Sequence, residues 1–277
     1  MDREVMQPTA VRDVTRYRGG AAEEFGDTLV VEEPLEIRLN NERFSVTMRT
    51  PGDDFALVRG LLLTEGVIGS NADIGRLRYC EAAETDIGEE NVVNVHVSTS
   101  CAAGRRWQRQ LMSGTSCGLC GKEAIEAVST GVTPLPGGLP FPHAVLQALP
   151  DELRRRQALF SATGGLHAAG LFTHTGECLV CCEDIGRHNA TDKAIGHGVA
   201  EGWLPWGQEE GLALLISGRA SFEIVQKALM AGIPIVCAVS AASALATDLA
   251  EANGQTLVGF LRDKAMTVYA GRARIGE

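Results

Sequence analysis

The sequence has no excess of positive charge, no amino-terminal apolar stretch, no continuous Leu/Ile/Phe span and no internal repeat, and each absence removes a class of function. Thirty-five acids against 25 bases leave a formal charge of −10. A general nucleic-acid binder would carry a net basic balance or a basic face, so nucleic acid is not an expected partner. A small anionic ligand stays open, because Arg262, Lys264, Arg272 and Arg274 form a local basic patch interrupted only by Asp263. The first 24 residues mix acids and bases from Asp2 to Glu24 and contain nothing resembling a signal peptide. Two uncharged runs, Gln157–Gly176 and Ala228–Thr247, reach membrane-span length. The first is broken by four glycines and two histidines, the second by Gly232-Ile-Pro234. Both read as buried elements of a soluble, cytoplasmic protein with no membrane insertion. In a reducing compartment the eight cysteines need not form disulfides.

What is present is material for a core. Hydrophobic residues make up 45% and charged residues 22% of the 277, which excludes disorder and fits one large domain or two small ones. Residues 1–27 read as a polar arm. Pro34–Leu39 and Arg43–Met48 alternate around Asn40-Asn41, a β-hairpin pattern. Asp53-Asp54 is placed to cap a helix through Leu57, Leu61 and Leu62. Asn91–Val97 reads as a strand, and Lys122–Val128 as a short helix after a glycine-rich stretch. Four prolines and two glycines in 134–142 mark a linker between an amino-terminal lobe, 28–133, and a carboxy-terminal lobe, 143–277.

In the second lobe, strand-type runs at Cys178–Cys182, Leu212–Ile216, Pro234–Val239 and Thr256–Phe260 alternate with helix-type runs near Arg187–Ala200, Ala220–Ala231 and Ser243–Asn253. This order predicts an α/β sheet with crossover helices. Ligands of such sheets sit beyond the carboxyl ends of the strands, at helix amino-termini. Here those junctions are Asp184–Arg187, Ser217–Ser221, Ser240–Ser243 and Leu261–Lys264. Two pair glycine with arginine, which suits phosphate or pyrophosphate.

Cys117 and Cys120 stand in a glycine-flanked loop just before the expected helix. The helix dipole and Lys122 favour a thiolate there, and a thiolate of this kind attacks a sulfur donor and holds the atom as a persulfide. Other readings of Cys-x-x-Cys are half of a zinc site, a deaminase zinc site and a thioredoxin-type redox pair. The first would need Cys178 and Cys181, which on a regular strand point to opposite faces. The second lacks His-x-Glu and the proline before the first cysteine. No metal is expected. Cys237 reads as a core residue, and Cys80 and Cys101 have no assigned role. Within Glu183–Lys193, the residues Asp184, His188 and Asp192 fall at i, i+4 spacing, a row that suits a metal, a base or a ligand as well as a solvated helix face.

Cys117-Gly-Leu-Cys-Gly121, Thr163-Gly-Gly-Leu-His167, Glu183-Asp-Ile-Gly-Arg-His-Asn-Ala-Thr-Asp-Lys193 and Ser217-Gly-Arg-Ala-Ser-Phe-Glu223 occur in this order. Pro34-Leu-Glu-Ile with Asn40 precedes them, and Leu257–Arg262 with Val268-Tyr269 follows. Over residues 28 to 270 the chain resembles the FdhD/NarQ family. The resemblance implies a cytidine-deaminase-like fold for the carboxy-terminal lobe, beside a smaller α+β amino-terminal lobe. It implies a homodimeric sulfurtransferase that takes sulfur from a cysteine desulfurase. The recipient it implies is the Mo-bis(molybdopterin guanine dinucleotide) cofactor of formate dehydrogenase. It makes Cys117 the persulfide carrier and Cys120 its partner. The segment Phe260, Leu261, Arg262, Asp263, Lys264 and Ala265 matches the cofactor-binding stretch; the junction reading, apart from the resemblance, adds Arg219 and His188 as further contacts. The chain departs from the family at Ala242 and at Asp263-Lys264-Ala265. The competing expectations are a cofactor-binding escort or a thiol–disulfide redox protein.

Overall fold

The computed structural model describes residues 7–81, 89–98, 132, 135, 140–205 and 211–277. The chain opens with a two-stranded antiparallel ribbon, β1 (Thr9–Arg18) and β2 (Ala21–Val30). Gly19 and Gly20 turn it with φ of 58° and 84°, the geometry a two-residue hairpin needs. So the polar arm has regular structure from residue 9, although most of β1 is solvent-exposed.

A four-stranded sheet follows. Strands β3 (Glu33–Leu39) and β4 (Glu42–Arg49) pair antiparallel around Asn40 and Asn41, whose φ values are 51° and 72°. The helix α1 (Asp54–Thr64) comes next. It is followed by β5 (Ile74–Tyr79) and β6 (Val92–Val97), and the sheet order is β4-β3-β6-β5. Leu35, Ile37 and Leu39 point into the core, while Glu36 between them pairs with Arg38 and Arg43. That is the period-2 alternation of a half-buried strand. Asp53 occupies the cap position of α1, but its side chain makes no capping bond. It turns instead to His197, so the expected cap is corrected.

After the short β7 (Phe141–Pro142) come α2 (His143–Arg156), α3 (Ala158–Thr163), β8 (His167–Phe172) and β9 (Cys178–Asp184). The remainder is α4 (Arg187–Ala200), β10 (Ala213–Ile216), α5 (Phe222–Met230), β11 (Ile235–Ala238), α6 (Ala244–Ala252), β12 (Thr256–Arg262) and β13 (Ala265–Ala270). A closing β14 (Ile275–Gly276) pairs with β7. The main sheet has the order β13-β12-β11-β10-β8-β9. Strand β8 is antiparallel to both β9 and β10, whereas β10, β11 and β12 are mutually parallel. Strands β9 to β12 therefore all run one way, with β8 wedged in reverse between the first two. The expected α/β architecture is present.

Ile195, Val225, Leu229 and Leu249 from α4, α5 and α6 pack into one core cluster, and Leu146, Leu149 and Leu153 of α2 into another, with Leu214 and Leu215 of β10 split between them. The first cluster also takes in Leu35, Ile37, Leu57, Leu62, Val93 and Val95. Residues on both sides of the 134–142 stretch thus share one core. Their tightest contact is between α1 and α4. A Cβ at Gly60 would lie 1.8 Å from the Asp192 carbonyl oxygen, and one at Gly196 1.8 Å from that of Ala56. Only hydrogen fits at either point. Because 56 faces 196 and 60 faces 192, the two helices run antiparallel. Among the described residues no helix is long and apolar enough to cross a membrane.

A bulge overturns one expectation from the sequence. The register passes from Leu171 opposite Val180 to Phe172 opposite Cys178, leaving Leu179 extra. Leu179 and Val180 both face the first core cluster, and Cys178 and Cys181 both face the second. The two thiols therefore share a face, which regular alternation would have forbidden. Among the described residues no third His, Cys, Asp or Glu joins them as a ligand set. Cys237 is fully buried, as expected of a core residue.

Candidate functional site

The shared direction of β9 to β12 gathers four junctions on one edge of the sheet. Backbone bonds stitch three of them into a rim. Ala220 N–H donates to the Ala241 carbonyl at 3.0 Å, Ser243 N–H to that of Ala220 at 3.1 Å, and Phe260 N–H to that of Ser240 at 3.0 Å. Ser217 anchors the rim to β8, since its N–H donates to the Ala168 carbonyl and its hydroxyl accepts from the Ala168 N–H, both at 2.9 Å.

The Glu183–Lys193 segment divides into scaffold and edge. Glu183 accepts from the N–H groups of Leu159 and Phe160 at 2.9 and 2.7 Å, capping α3. Asp184 is fully buried and pairs with Lys193 at 2.9 Å. It also accepts from the N–H groups of Thr50 and Gly186 and from the Asn189 amide. Lys193 donates further to the Thr50 carbonyl at 2.9 Å, and Asn189 to that of Met48 at 2.7 Å. Asp192 pairs with Lys227 at 2.7 Å and accepts from Thr64. Burial pushes its carboxyl up, against the pull of Lys227. The expected row of Asp184, His188 and Asp192 is thus corrected. Both aspartates are locked into the core, because Asp184 ends a strand and Asp192 faces α1, and only His188 reaches the edge.

Arg187 and His188 are left at the edge with His167 from the start of β8. The ring of His167 and the stem of Arg187 both lie near Gly218, where a Cβ would stand 3.5 to 3.7 Å from them. Burial, then the charges of Arg187 and His188, hold the His167 pKa below its ordinary value. His188 Nε2 lies 3.8 Å from Glu223 Oε2, an ion-pair distance rather than a hydrogen bond. The imidazole is nonetheless the chief reason that the Glu223 carboxyl falls to about 2. Among the described residues, three polar atoms here are buried with no hydrogen-bond partner: Arg187 Nε, His188 Nε2 and Ser221 Oγ. Orphaned buried polar atoms are rare in folded proteins and ask for a partner. A guanidinium, an imidazole and a hydroxyl around a glycine turn suit an anion with several acceptor oxygens. Arg187 was expected here through its glycine–arginine junction, whereas His167, Ser221 and Glu223 had no assigned role in the sequence, although all three lie in its quoted motifs.

Arg219 is exposed on the same turn. The segment 260–265 forms the far end of the rim. Phe260 is 39% exposed and has a φ of 48°, so its ring stands out of the sheet instead of entering the core. A Cβ at Gly259 would meet the Ser240 carbonyl at 3.0 Å, a close approach that glycine permits. Leu261 is fully buried, so it offers no exposed surface to a ligand. The Arg262 guanidinium lies 5.7 Å from the centroid of the Phe260 ring. Asp263 and Lys264 make the β12–β13 turn with φ of 52° and 57°, and Ala265 pairs with Arg262 across it. Two strand spacings, about 10 Å, separate β12 from β10, so the aromatic and anion-binding ends are neighbours. Cys117, Cys120 and the Lys122–Val128 stretch lie outside the described residues.

Comparison with known proteins agrees with this architecture. The model of the FdhD/NarQ family matches residues 30–276. A protein of Streptomyces avermitilis named sulfur carrier protein FdhD is 48% identical over 272 residues, covering 96% of this chain and 95% of its own. One of the same name from Nocardia farcinica is 51% identical over 270 residues, with the same coverage. The crystal structure of a putative formate dehydrogenase accessory protein from Desulfotalea psychrophila superposes with a TM-score of 0.76 at 23% identity. The match covers 98% of this chain and 100% of that one, and at that identity it speaks for the fold alone. The family model spans nearly the whole chain and the relatives align end to end, so the chain belongs to the FdhD/NarQ family.

Proposed function

We propose that this protein is a sulfur carrier that moves persulfide sulfur from a cysteine desulfurase to the bis(molybdopterin guanine dinucleotide) molybdenum cofactor, for use by formate dehydrogenase. What carries the reading is the near full-length identity, 48% and 51%, to relatives named sulfur carrier protein. Cys117 is the acceptor. Its thiolate attacks the outer sulfur of the donor persulfide, a new S–S bond forms, and the donor cysteine leaves as thiolate. Delivery as sulfide needs two electrons. Attack by the Cys120 thiolate on the inner sulfur supplies them, releases hydrosulfide and leaves a Cys117–Cys120 disulfide for a reductant to open.

The cofactor is cargo, and the carboxyl edge suits its nucleotide end. Arg187, His188 and Ser221 offer polar atoms without a hydrogen-bond partner among the described residues, which fits a pyrophosphate whose charge is costly to bury uncompensated. Exposed Phe260 offers a face for the base, with backbone groups of Phe260–Ala265 to read guanine. Arg219 and Arg262 add charge at the rim. In this reading the protein works in the cytoplasm as a homodimer.

The test is cyanolysable sulfur on the purified protein after incubation with a cysteine desulfurase and cysteine. About one sulfur per chain is expected, with loss in Cys117→Ala. A protein that binds the cofactor but never acquires cyanolysable sulfur would be an escort, and sulfur transfer would be discarded.

A further inference from the structure

A second cluster stands apart from the carboxyl edge. Asp53, Cys182 and His197 come from the residue before α1, the core-facing side of β9 and the last turn of α4. The antiparallel crossing at Gly60 and Gly196 sets the start of α1 beside the end of α4. One side-chain O, S or N atom from each of the three residues lies within 4.8 Å of the other two. His197 Nε2 is 3.2 Å from Asp53 Oδ1. Ligand atoms around a tetrahedral zinc, with bonds of about 2.0–2.3 Å, stand about 3.3–3.8 Å apart. The three atoms thus approximate one face of such a tetrahedron, open by about an ångström at its widest.

Cys182 supplies an independent sign. The residue is 2% exposed, and among the described residues its thiol makes no hydrogen bond. The sulfur packs in the first core cluster and at the same time stands within 4.8 Å of the histidine–carboxylate pair. Asp53 and His197 are half-exposed, with side chains 50% and 36% accessible, so an ion has a way in and a water can complete its shell.

We infer that Asp53, Cys182 and His197 form a site for a zinc-class divalent cation. The donor set decides the class. Thiolate and imidazole suit zinc, cobalt and their neighbours, whereas calcium and magnesium take oxygen ligands. Binding costs the thiol its proton, which goes to solvent, and the resulting thiolate with the Asp53 carboxylate balances the dication. The neighbouring Lys193 ammonium does not compete for the ligands, since Asp184 and the Thr50 carbonyl hold it. Such an ion would pin α1 to α4 and β9, fastening together residues from both sides of the Pro/Gly stretch. The expectation of no metal rested on the Cys178/Cys181 strand geometry and the absence of His-x-Glu. This trio was invisible to it, because its histidine and aspartate lie 144 residues apart.

The ordinary alternative is an interhelical His–Asp contact beside an inert core cysteine, and cobalt separates the two. Co²⁺ is titrated into the full-length Cys117→Ala/Cys120→Ala protein, which removes the competing thiols of that loop. About one Co²⁺ per chain is expected, with thiolate-to-cobalt charge-transfer absorption and the visible bands of tetrahedral cobalt, both abolished by equimolar Zn²⁺. Adding Cys182→Ala or His197→Gln should remove both sets of bands. His197 is surface-accessible, so His197→Gln should keep the parent circular dichroism even where Cys182→Ala disturbs the core. Absence of the charge-transfer band in the Cys117/Cys120 variant, or its survival in His197→Gln, would overturn the site. Neither result bears on sulfur transfer, which is measured separately.

Discussion

The smallest functional unit here is the side chain that the fold leaves unsatisfied. Arg262 is exposed, close to the Phe260 ring, and at the far end of the rim from the orphaned Arg187, His188 and Ser221. A charge-assisted hydrogen bond contributes about 1.5–3 kcal/mol, a ten- to hundredfold effect on affinity. Arg262→Ala should therefore weaken GDP binding by about that factor while leaving persulfide loading unchanged. Calorimetry decides it, and unaltered GDP affinity removes Arg262 from the site. Equal affinity of the parent protein for GDP and ADP would remove the guanine reading.

Glu223 makes a prediction about pH. Its carboxyl falls from an ordinary 4.5 to about 2, chiefly through His188. A carboxyl whose folded pKa is depressed binds fewer protons folded than unfolded, so its stabilisation is complete above 4.5 and is lost as pH falls toward 2. Because the Glu223 side chain is 60% exposed, solvent screens the effect and only its direction is firm. Glu223→Gln should flatten the stability profile between about pH 4.5 and 2. Urea midpoints measured across the range test this, and identical acid limbs would show that the pair contributes nothing.

Among elements, the crossing of α1 and α4 is the most sequence-sensitive feature. Gly60→Ala or Gly196→Ala would drive a methyl to 1.8 Å from a carbonyl oxygen. Neither obstacle is a side-chain end that can swing away, so one helix must move. Overpacking of this kind typically costs about 1–3 kcal/mol, and more where backbone blocks the way. Gly218→Ala is the internal control, since its methyl meets only ordinary contacts at 3.5 to 3.7 Å. Denaturation should show large losses for the first two and little change for the third. A mild effect at Gly60 would mean that the helices are not so closely packed.

The same elements show how much was legible beforehand. Strands β9 to β12 and helices α4 to α6 could be read because apolar runs and amphipathic runs alternate at the spacing crossovers impose. Strand β8 could not. Its His167-Ala-Ala-Gly-Leu-Phe172 has no β-branched residue, and its reversed insertion between β9 and β10 is decided by long-range pairing. The β12–β13 turn was hidden for a local reason: Asp263 and Lys264 adopt positive φ without the usual glycine. The edge itself was foreseen at its junctions. Which residues of Glu183–Lys193 face a ligand was not, because burial of Asp184, Asp192 and Lys193 depends on Thr50, Thr64 and Lys227, all distant in sequence.

At the scale of the whole molecule, the two sides of the Pro/Gly stretch share more than a boundary surface. Their common core joins Leu35, Ile37, Leu57 and Val95 to Leu171, Ile195, Leu214 and Val236. Buried polar links add to it: Thr50 to Asp184 and Lys193, and Thr64 to Asp192 and Lys227. Opening either side alone would expose apolar surface of the other and strand a buried charge, costs of several kcal/mol each. Two regions coupled that strongly unfold together. Native-state hydrogen exchange in rising urea should therefore bring peptides from β3 and β6 to the same opening free energy as those from β10 and β11. The β1–β2 ribbon, with Val11 and Tyr17 65% and 79% exposed, contributes no residue to either core cluster and should exchange well below that limit. Loss of protection in 33–97 at clearly lower urea than in 213–262 would show two independent lobes. The shared core would then be a contact surface between them, too weak to couple their unfolding.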